Sequence, residues 1–282
     1  MTISEAIKRA ENPELVKIII SDLLNLDGKS FFLNQDKELT LPQKKALEKS
    51  CQRLKNDEPV QYITGISHFY GRTFKVNKNV LIPRPETELL VEMAIEYLKE
   101  KLKTSKVVNF IDVGTGSGCI SICISKELQD NSRSALNIFA VDISKSALIV
   151  AGENAKANQA NVKFFCSDLL SSQHLPKRFD FIAANLPYLE SDYKQKLSVE
   201  NSSINAEPSV ALDGGKDGLV LVKKLISDLP NRLERDGVAI LEVGDNQELA
   251  IRKFSTSFNN LRIDYIKDFA GKFRFLKISR TS

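Results

Sequence analysis

Two patterns of hydrophobic and polar positions divide the chain. Up to about residue 60 apolar residues recur at helical spacing, first Leu15, Ile18, Ile19, Leu23 and Leu26, then Leu41, Ala46, Leu47, Cys51 and Leu54. Asn12-Pro13 opens the first stretch and Thr40-Leu41-Pro42 the second. Each pairs a capping side chain with a proline in the first turn, where the missing N–H costs nothing. From Tyr62 to Ile82 short apolar and aromatic runs, broken by Gly65, Gly71 and Asn77, predict a hairpin. The expected organisation is a small helical domain over 1–60, a hairpin linker over 61–85 and a larger domain over 86–282.

In the larger domain a long helix, Glu86 to about Leu102, precedes alternating strand-like and helix-like segments. Strands are expected at Val107–Val113, Asn137–Val141, Val162–Cys166, Phe179–Ala184 and Gly237–Val243, with a final pair at Leu261–Ile266 and Phe273–Ile278. Their apolar residues are continuous rather than alternating, as in a mostly parallel sheet covered by helices on both faces. This predicts an α/β fold with a doubly wound sheet, whose ligand sits beyond the carboxyl ends of the central strands.

Composition narrows the class of protein. With 42% hydrophobic and 27% charged residues the chain has the makeup of a globular protein, not of a fibre or a disordered segment. The longest apolar runs, such as Val107 to Val113, are about a third of the ~20 residues that span a bilayer. The N-terminal MTISEAIKRAENPE lacks an apolar segment with a cleavage site, so a cytoplasmic location is expected. The 4 cysteines form no C-x-x-C pair and there are only 2 histidines, so neither a disulfide framework nor a metal site is expected. Cys119 and Cys123, four apart on a helix, are expected to be buried, and His68 and His174 to be surface or hinge residues. The net charge of +4 permits an RNA or ribosome-associated partner without requiring one.

The first chemical signal follows the first large-domain strand, where Asp112-Val113-Gly114-Thr115-Gly116-Ser117-Gly118 runs into the apolar helix Cys119 to Leu128. A strand, a glycine-rich turn and a helix let backbone N–H groups approach a ligand closely. The spacing differs from the G-x-G-x-x-G of pyrophosphate-binding dehydrogenases, and no G-K-[ST] follows for a triphosphate. Asp142, at the end of the second strand, can accept hydrogen bonds from both hydroxyls of a ribose. Asp168 ends the third strand where an adenine ring should lie, with Leu169 beside it. Glycines and two acids at three successive strand ends describe an adenosine site without a polyphosphate, which favours S-adenosylmethionine over NAD or ATP. Asp142 and Asp168 are also compatible with plain helix N-capping.

The fourth strand ends in Asn185-Leu186-Pro187-Tyr188. A nitrogen bonded to a π-system has a delocalised lone pair and is a poor nucleophile. The Asn185 side-chain carbonyl and a neighbouring main-chain carbonyl, held by Pro187, can accept its two N–H bonds. The Tyr188 ring can stack on a planar amide or base and exclude water. An isolated N-L-P-Y would be a capped turn. Arg84, stiffened between Pro83 and Pro85, is a candidate to close over the cofactor or position the substrate. The polar stretch Leu189 to Glu207 is placed to grip a substrate.

These and further motifs resemble the protein-(glutamine-N5) methyltransferases that act on peptide chain release factors. The resemblance includes Glu58-Pro59-Val60-Gln61-Tyr62-Ile63-Thr64-Gly65, Phe69-Tyr70-Gly71 and Val80-Leu81-Ile82-Pro83-Arg84-Pro85-Glu86-Thr87-Glu88. It continues through the 112–118 loop, Val141-Asp142-Ile143-Ser144, the tetrapeptide, Glu207-Pro208 with Ala211-Leu212, Gly214-Gly215-Lys216-Asp217-Gly218-Leu219, and Leu241-Glu242-Val243-Gly244 before Gln247. It implies a seven-stranded S-adenosylmethionine-dependent methyltransferase sheet behind an N-terminal helical bundle and a hairpin. It also implies S-adenosylhomocysteine as product and no metal, with the glutamine of a Gly-Gly-Gln motif in class I release factors as substrate. Asn185, Leu186, Pro187, Tyr188 and Arg84 would then face that glutamine. Asp112, Gly114, Thr115, Gly116, Ser117, Gly118, Asp142, Ile143, Asp168, Leu169 and Asn185 would face the cofactor. A monomer without a membrane or stable nucleic-acid partner is expected. The charged helical surface with Lys44, Lys45 and Lys49 is a candidate contact for the release factor.

Two positions depart from the family. Its tetrapeptide is N-P-P-Y, whereas Leu186 makes this one similar to the N-L-P-Y of ribosomal-RNA adenine dimethyltransferases. A leucine there frees one φ angle, which predicts a looser loop and reduced activity. Phe273 stands where the family usually has a polar residue. Two rival readings remain at this point: methylation of an adenine in nucleic acid, and a cofactor-binding protein without catalysis. Against the first, residues 1–80 carry 13 Lys or Arg and 10 Asp or Glu, with no aromatic-basic array.

Overall fold

A computed structural model describes residues 1–128, 135–196 and 204–281, which form two compact units. One comprises Met1–Ile66 with 204–206, and the other the rest from Ser67 on. Each is described by itself.

The first unit holds five helices: α1 (Ile3–Lys8), α2 (Pro13–Leu23), α3 (Gly28–Leu33), α4 (Leu41–Lys55) and α5 (Val60–Thr64). Thr2 and Thr40 build capping boxes with Glu5 and Gln43, and Asn12 and Asp27 cap α2 and α3. The buried face of α2 is Val16, Ile19 and Ile20, packed with Ile3, Phe31, Leu39, Leu47 and Val60. Ile18, Leu23 and Leu41, expected in the apolar stripe, are instead exposed, and Leu26 lies beyond the end of α2. Ile18 and Leu23 keep helical spacing but sit off the face of α2 that α1, α4 and α5 cover, and Leu41 is the first residue of α4. Arg53 links the ends of α4 and α5: its guanidinium donates to Glu58 at 2.7 Å and to the Tyr62 carbonyl at 2.9 Å.

The second unit begins at Ser67, within a hairpin of β1 (Ile66–Phe69) and β2 (Arg72–Lys75), and continues to α6 (Glu88–Thr104). The segment expected as a linker over 61–85 is therefore divided. Its start is helix α5, ended by Gly65 in the left-handed region, while Phe69 and Phe74 are buried in the core of the second unit. Asn154 fastens the hairpin by accepting from Lys75 N–H at 2.7 Å and donating to the Lys75 carbonyl at 3.0 Å. The helix expected from Glu86 begins as a 3-10 turn over Pro85–Thr87.

The remaining elements are β3 (Val107–Val113), α7 (Cys119–Glu127), β4 (Ala135–Asp142), α8 (Lys145–Ala157), β5 (Lys163–Cys166), β6 (Phe179–Asn185), α9 (Tyr193–Lys196), α10 (Val220–Arg232), β7 (Leu233–Glu242), α11 (Glu248–Ser255), β8 (Leu261–Lys267) and β9 (Phe273–Arg280). Seven strands form one sheet in the order β5-β4-β3-β6-β7-β9-β8, parallel except for β9, which runs antiparallel to β7 and β8. Strand β7 starts at Leu233, earlier than expected, because Leu233 pairs with Phe179 before a bulge. Two apolar layers cover the sheet, one around α6 and α7 and one around α10. The chain order reverses across β3, so the ends of β3, β4 and β6 open one crevice. Among the described residues no helix is long and apolar enough to cross a membrane.

Candidate active site

Strand β3 ends in Val113, and the turn after it uses glycine where other residues would be strained: Gly114, Gly116 and Gly118 have φ of 76°, 54° and 83°. Asp142, ending β4, reaches across to this turn. Its carboxylate accepts from Gly116 N–H at 2.9 Å and from Ser144 N–H at 2.8 Å. Ser144, not Asp142, caps α8. Burial holds the Asp142 carboxyl above the usual range, against the pull of those backbone donors.

A cavity of about 440 Å³ lies beyond the strand ends, a volume suited to a nucleoside-sized ligand. Gly114, Thr115, Gly116, Ser117, Asp142, Ile143, Asp168 and Leu169 line it, as do Arg84, Asn185, Leu186 and Pro187. The structure thus brings most of the sequence-selected residues together. Asp112, Gly118 and Tyr188 do not line the cavity. Asp112 lies fully buried beneath the turn, accepting from the Thr115 hydroxyl at 2.6 Å and from Ser121 N–H at 3.2 Å. Gly118 meets α7 and α8, where a Cβ would stand 2.9 Å from Ile122 Cδ1 and 3.2 Å from Ala151 Cβ. Asp168 pairs with Lys224 at 2.6 Å, and Leu169 takes a φ of 49°, rare for leucine.

The tetrapeptide is held on its backbone. Asn185 pairs with Glu242 across β6 and β7. Leu189 N–H donates to the Leu212 carbonyl at 2.9 Å, and Gly214 N–H to the Leu189 carbonyl at 2.7 Å. Gly214 comes so near that a Cβ would stand 2.6 Å from the Pro187 oxygen, and a Cβ on Gly218 would overlap the Tyr188 oxygen. Leu186 is buried in the core on the α10 side of the sheet. Burial pushes the Tyr188 hydroxyl up to about 12, with the Glu242 charge adding to the effect.

Several residues carry the arrangement without having been given a role from sequence. Thr87, buried at the start of α6, donates from Oγ1 to Glu242 Oε2 at 2.7 Å and accepts from Asn185 Nδ2 at 3.0 Å. Burial raises the Glu242 carboxyl to about 7. Glu207 is buried and takes both the Arg84 guanidinium and, at 3.2 Å, the Ile82 N–H, so Arg84 is anchored at the cavity wall. Each of these residues stands in a motif quoted above, and for Glu207 and Glu242 a charge within a motif is the signal that could have found them. The expected substrate-gripping stretch is described only up to Lys196 and from 204, with 197–203 outside the described residues. His68 and His174 are exposed, Cys119 and Cys123 buried.

The residues present fit S-adenosylmethionine. Asp142 retains acceptor capacity for ribose hydroxyls, Gly116 has open space where a side chain would be, and the N–H groups of Gly114, Thr115, Gly116 and Gly118 already donate within the protein rather than to a phosphate. Among the described residues buried Asp112 Oδ1 has no hydrogen-bond partner, and burial raises this carboxyl to about 6. Among the described residues no cluster of three or more His, Cys, Asp or Glu could hold a metal.

Residues 3–65 match the PrmC N-terminal domain and residues 90–236 the methyltransferase small domain. The catalytic domain of hMettl16, solved in complex with MAT2A 3'UTR hairpin 1, superimposes with a TM-score of 0.56 at 16% identity, covering 94% of this chain and 91% of that one. That is a likeness of fold alone. The fold and the matched domain define an S-adenosylmethionine-dependent methyltransferase. A release factor glutamine methyltransferase of Bacillus cereus is 34% identical over 263 residues, covering 92% of this chain and 90% of its own length. One of Lactococcus lactis subsp. lactis is 35% identical over 270 residues, covering 95% and 94%. The chain belongs to the release factor glutamine methyltransferase family.

Proposed function

We propose that the chain methylates the side-chain amide nitrogen, N5, of the glutamine in the Gly-Gly-Gln motif of class I release factors. The observation that carries this reading is the orientation of Asn185. Its Nδ2 is engaged by Thr87, while among the described residues its Oδ1 accepts no hydrogen bond, and the residue lines the same cavity as the glycine turn and Asp142.

Bound S-adenosylmethionine supplies a methyl group on a sulfonium, whose sulfur leaves as the neutral thioether of S-adenosylhomocysteine. Gly114, Thr115, Gly116 and Ser117 form one wall for it, and Asp142, Ile143, Asp168 and Leu169 another. Asn185 Oδ1 accepts one N–H of the substrate amide, and the main-chain carbonyl of Leu186 or Pro187 accepts the other. Two acceptors orient the nitrogen and favour the positive charge that builds on it as the N–C bond forms. One N–H proton then departs to solvent. In-line geometry rather than a strong base is the main requirement, which suits a site made of carbonyls. Tyr188 follows these acceptors along the chain without lining the cavity, and its carbonyl is held by Gln247. The names of the relatives support a release factor as the protein substrate.

The test is mass spectrometry of a purified release factor incubated with this protein and S-adenosylmethionine, beside an Asn185→Ala variant. One methyl mass on the Gly-Gly-Gln peptide, absent with the variant, is the expected result. No methyl on that peptide, under conditions where the protein binds S-adenosylmethionine, overturns the reading.

A further inference from the structure

We propose that Thr87 and Glu242 are positioning residues that fix which end of the Asn185 amide faces the substrate. The inference rests on the reading of the site as a glutamine-amide methyltransferase. A side-chain amide has nearly the same shape with its oxygen and nitrogen exchanged, so hydrogen bonds, not sterics, choose between the two orientations. The choice is decisive here. With Oδ1 outward, Asn185 accepts an N–H from the incoming amide. With Nδ2 outward, it sets a donor against a donor and the nitrogen is turned away.

With Glu242 ionised, the chain of bonds leaves one answer. An ionised carboxylate only accepts, so the single hydroxyl proton of Thr87 goes to Glu242 Oε2, 2.7 Å away. Thr87 Oγ1 then has only lone pairs for Asn185, which must meet it with Nδ2, at 3.0 Å. Glu242 is 1% and Thr87 3% exposed, so bulk water does not compete for these bonds. The three residues come from the ends of β6 and β7 and the start of α6, and Asn185 and Glu242 are cross-strand partners. The sheet register thus sets the geometry of the lock.

Two readouts test it, both at about pH 8, where the carboxylate is mainly ionised. The first is kinetic, with release factor and S-adenosylmethionine. Thr87→Val removes the hydroxyl at constant shape, and kcat should fall about 10- to 100-fold. Thr87 also lines the cavity, but valine keeps the shape of its side chain, so the Kd for S-adenosylmethionine should change less than about two-fold. Thr87→Ser, which restores the hydroxyl, should recover most of kcat. The second readout needs no substrate. The Asn185 side-chain NH2 signals in the 15N NMR spectrum, identified by their loss in Asn185→Ala, should be protected from exchange with water in the wild-type protein. They should lose that protection in Thr87→Val and keep it in Thr87→Ser.

A Thr87→Val protein with wild-type kcat, or with an unchanged Asn185 amide signal, overturns the proposal. A wild-type protein that leaves the glutamine unmethylated while the amide signals respond as stated defeats the proposed function and supports the lock.

Discussion

The side-chain amide of Gln247 donates to the Tyr188 carbonyl at 2.9 Å and to the Gly218 carbonyl at 3.2 Å, while its oxygen accepts from Gly244 N–H at 2.9 Å. One buried side chain therefore ties the reactive tetrapeptide to the 213–218 loop and to the end of β7. Gln247→Ala removes all three bonds and strands buried backbone groups, so we expect a loss of about 1–3 kcal/mol in stability. We also expect a lower kcat at unchanged cofactor affinity. Urea unfolding and steady-state kinetics measure the two effects separately.

Two glycines of the cofactor turn should fail differently. A methyl on Gly118 meets Ile122 and Ala151, so Gly118→Ala should lower the melting temperature through overpacking and its positive φ, at a cost of about 2–4 kcal/mol. Gly116 has open space around it, so Gly116→Ala should cost only about 1–2 kcal/mol from its φ of 54°. Because Gly116 lines the cavity, that variant should bind S-adenosylmethionine more weakly. Thermal unfolding and titration calorimetry distinguish the two, and equal melting temperatures would contradict the assignment.

Stability should depend on pH through two buried acids. Burial raises Glu242 to about 7 and Asp112 to about 6. For a raised acid the folded protein keeps a proton that the unfolded chain has already lost. The ligand-free protein should therefore lose stability as pH rises from about 4 to about 7, the window between ordinary and raised values. Above that window the contribution is flat. Glu242→Gln and Asp112→Asn should each reduce the slope in denaturant titrations across this range. A slope of opposite sign, unchanged in both variants, would falsify the claim.

Leu186 gives a fourth expectation. Its Cδ2 lies 3.0 Å from where a Cβ on Gly114 would stand, so its side chain fills the space behind the glycine turn. Leu186→Ala should cost about 2–4 kcal/mol as a buried truncation. Leu186→Pro should also lower the melting temperature, because the ring fills less of that space, while kcat stays within about three-fold since neighbours hold the loop. A large gain in kcat would show instead that the freed φ limits the reaction.

How legible these features were depended on the range of their causes. The sheet could be read because β3, β4 and β6 are continuous apolar runs, a local signal. Asn185 and Asp142 were legible because each ends such a run. In the helical unit only α2 and α4 stood out, since α1, α3 and α5 are 6, 6 and 5 residues long and too short to show a period. Thr87 could not be given a role because its partners Asn185 and Glu242 lie 98 and 155 positions away. Asp112 and Gly118 both lie in the turn that the sequence singles out, where Asp112 braces the turn from below and Gly118 packs it on α7 and α8.

The backbone grip on residues 185–189 bears on what Leu186 does in this chain. Strand pairing at Asn185, the Leu189 bonds to Leu212 and Gly214, and Gln247 on Tyr188 hold the main chain from outside. Where proline stiffens a loop from within, its loss should cost precision, yet here the stiffness belongs to the surroundings. In this chain the second tetrapeptide position serves the core behind Gly114, while the main chain around it is held by its neighbours.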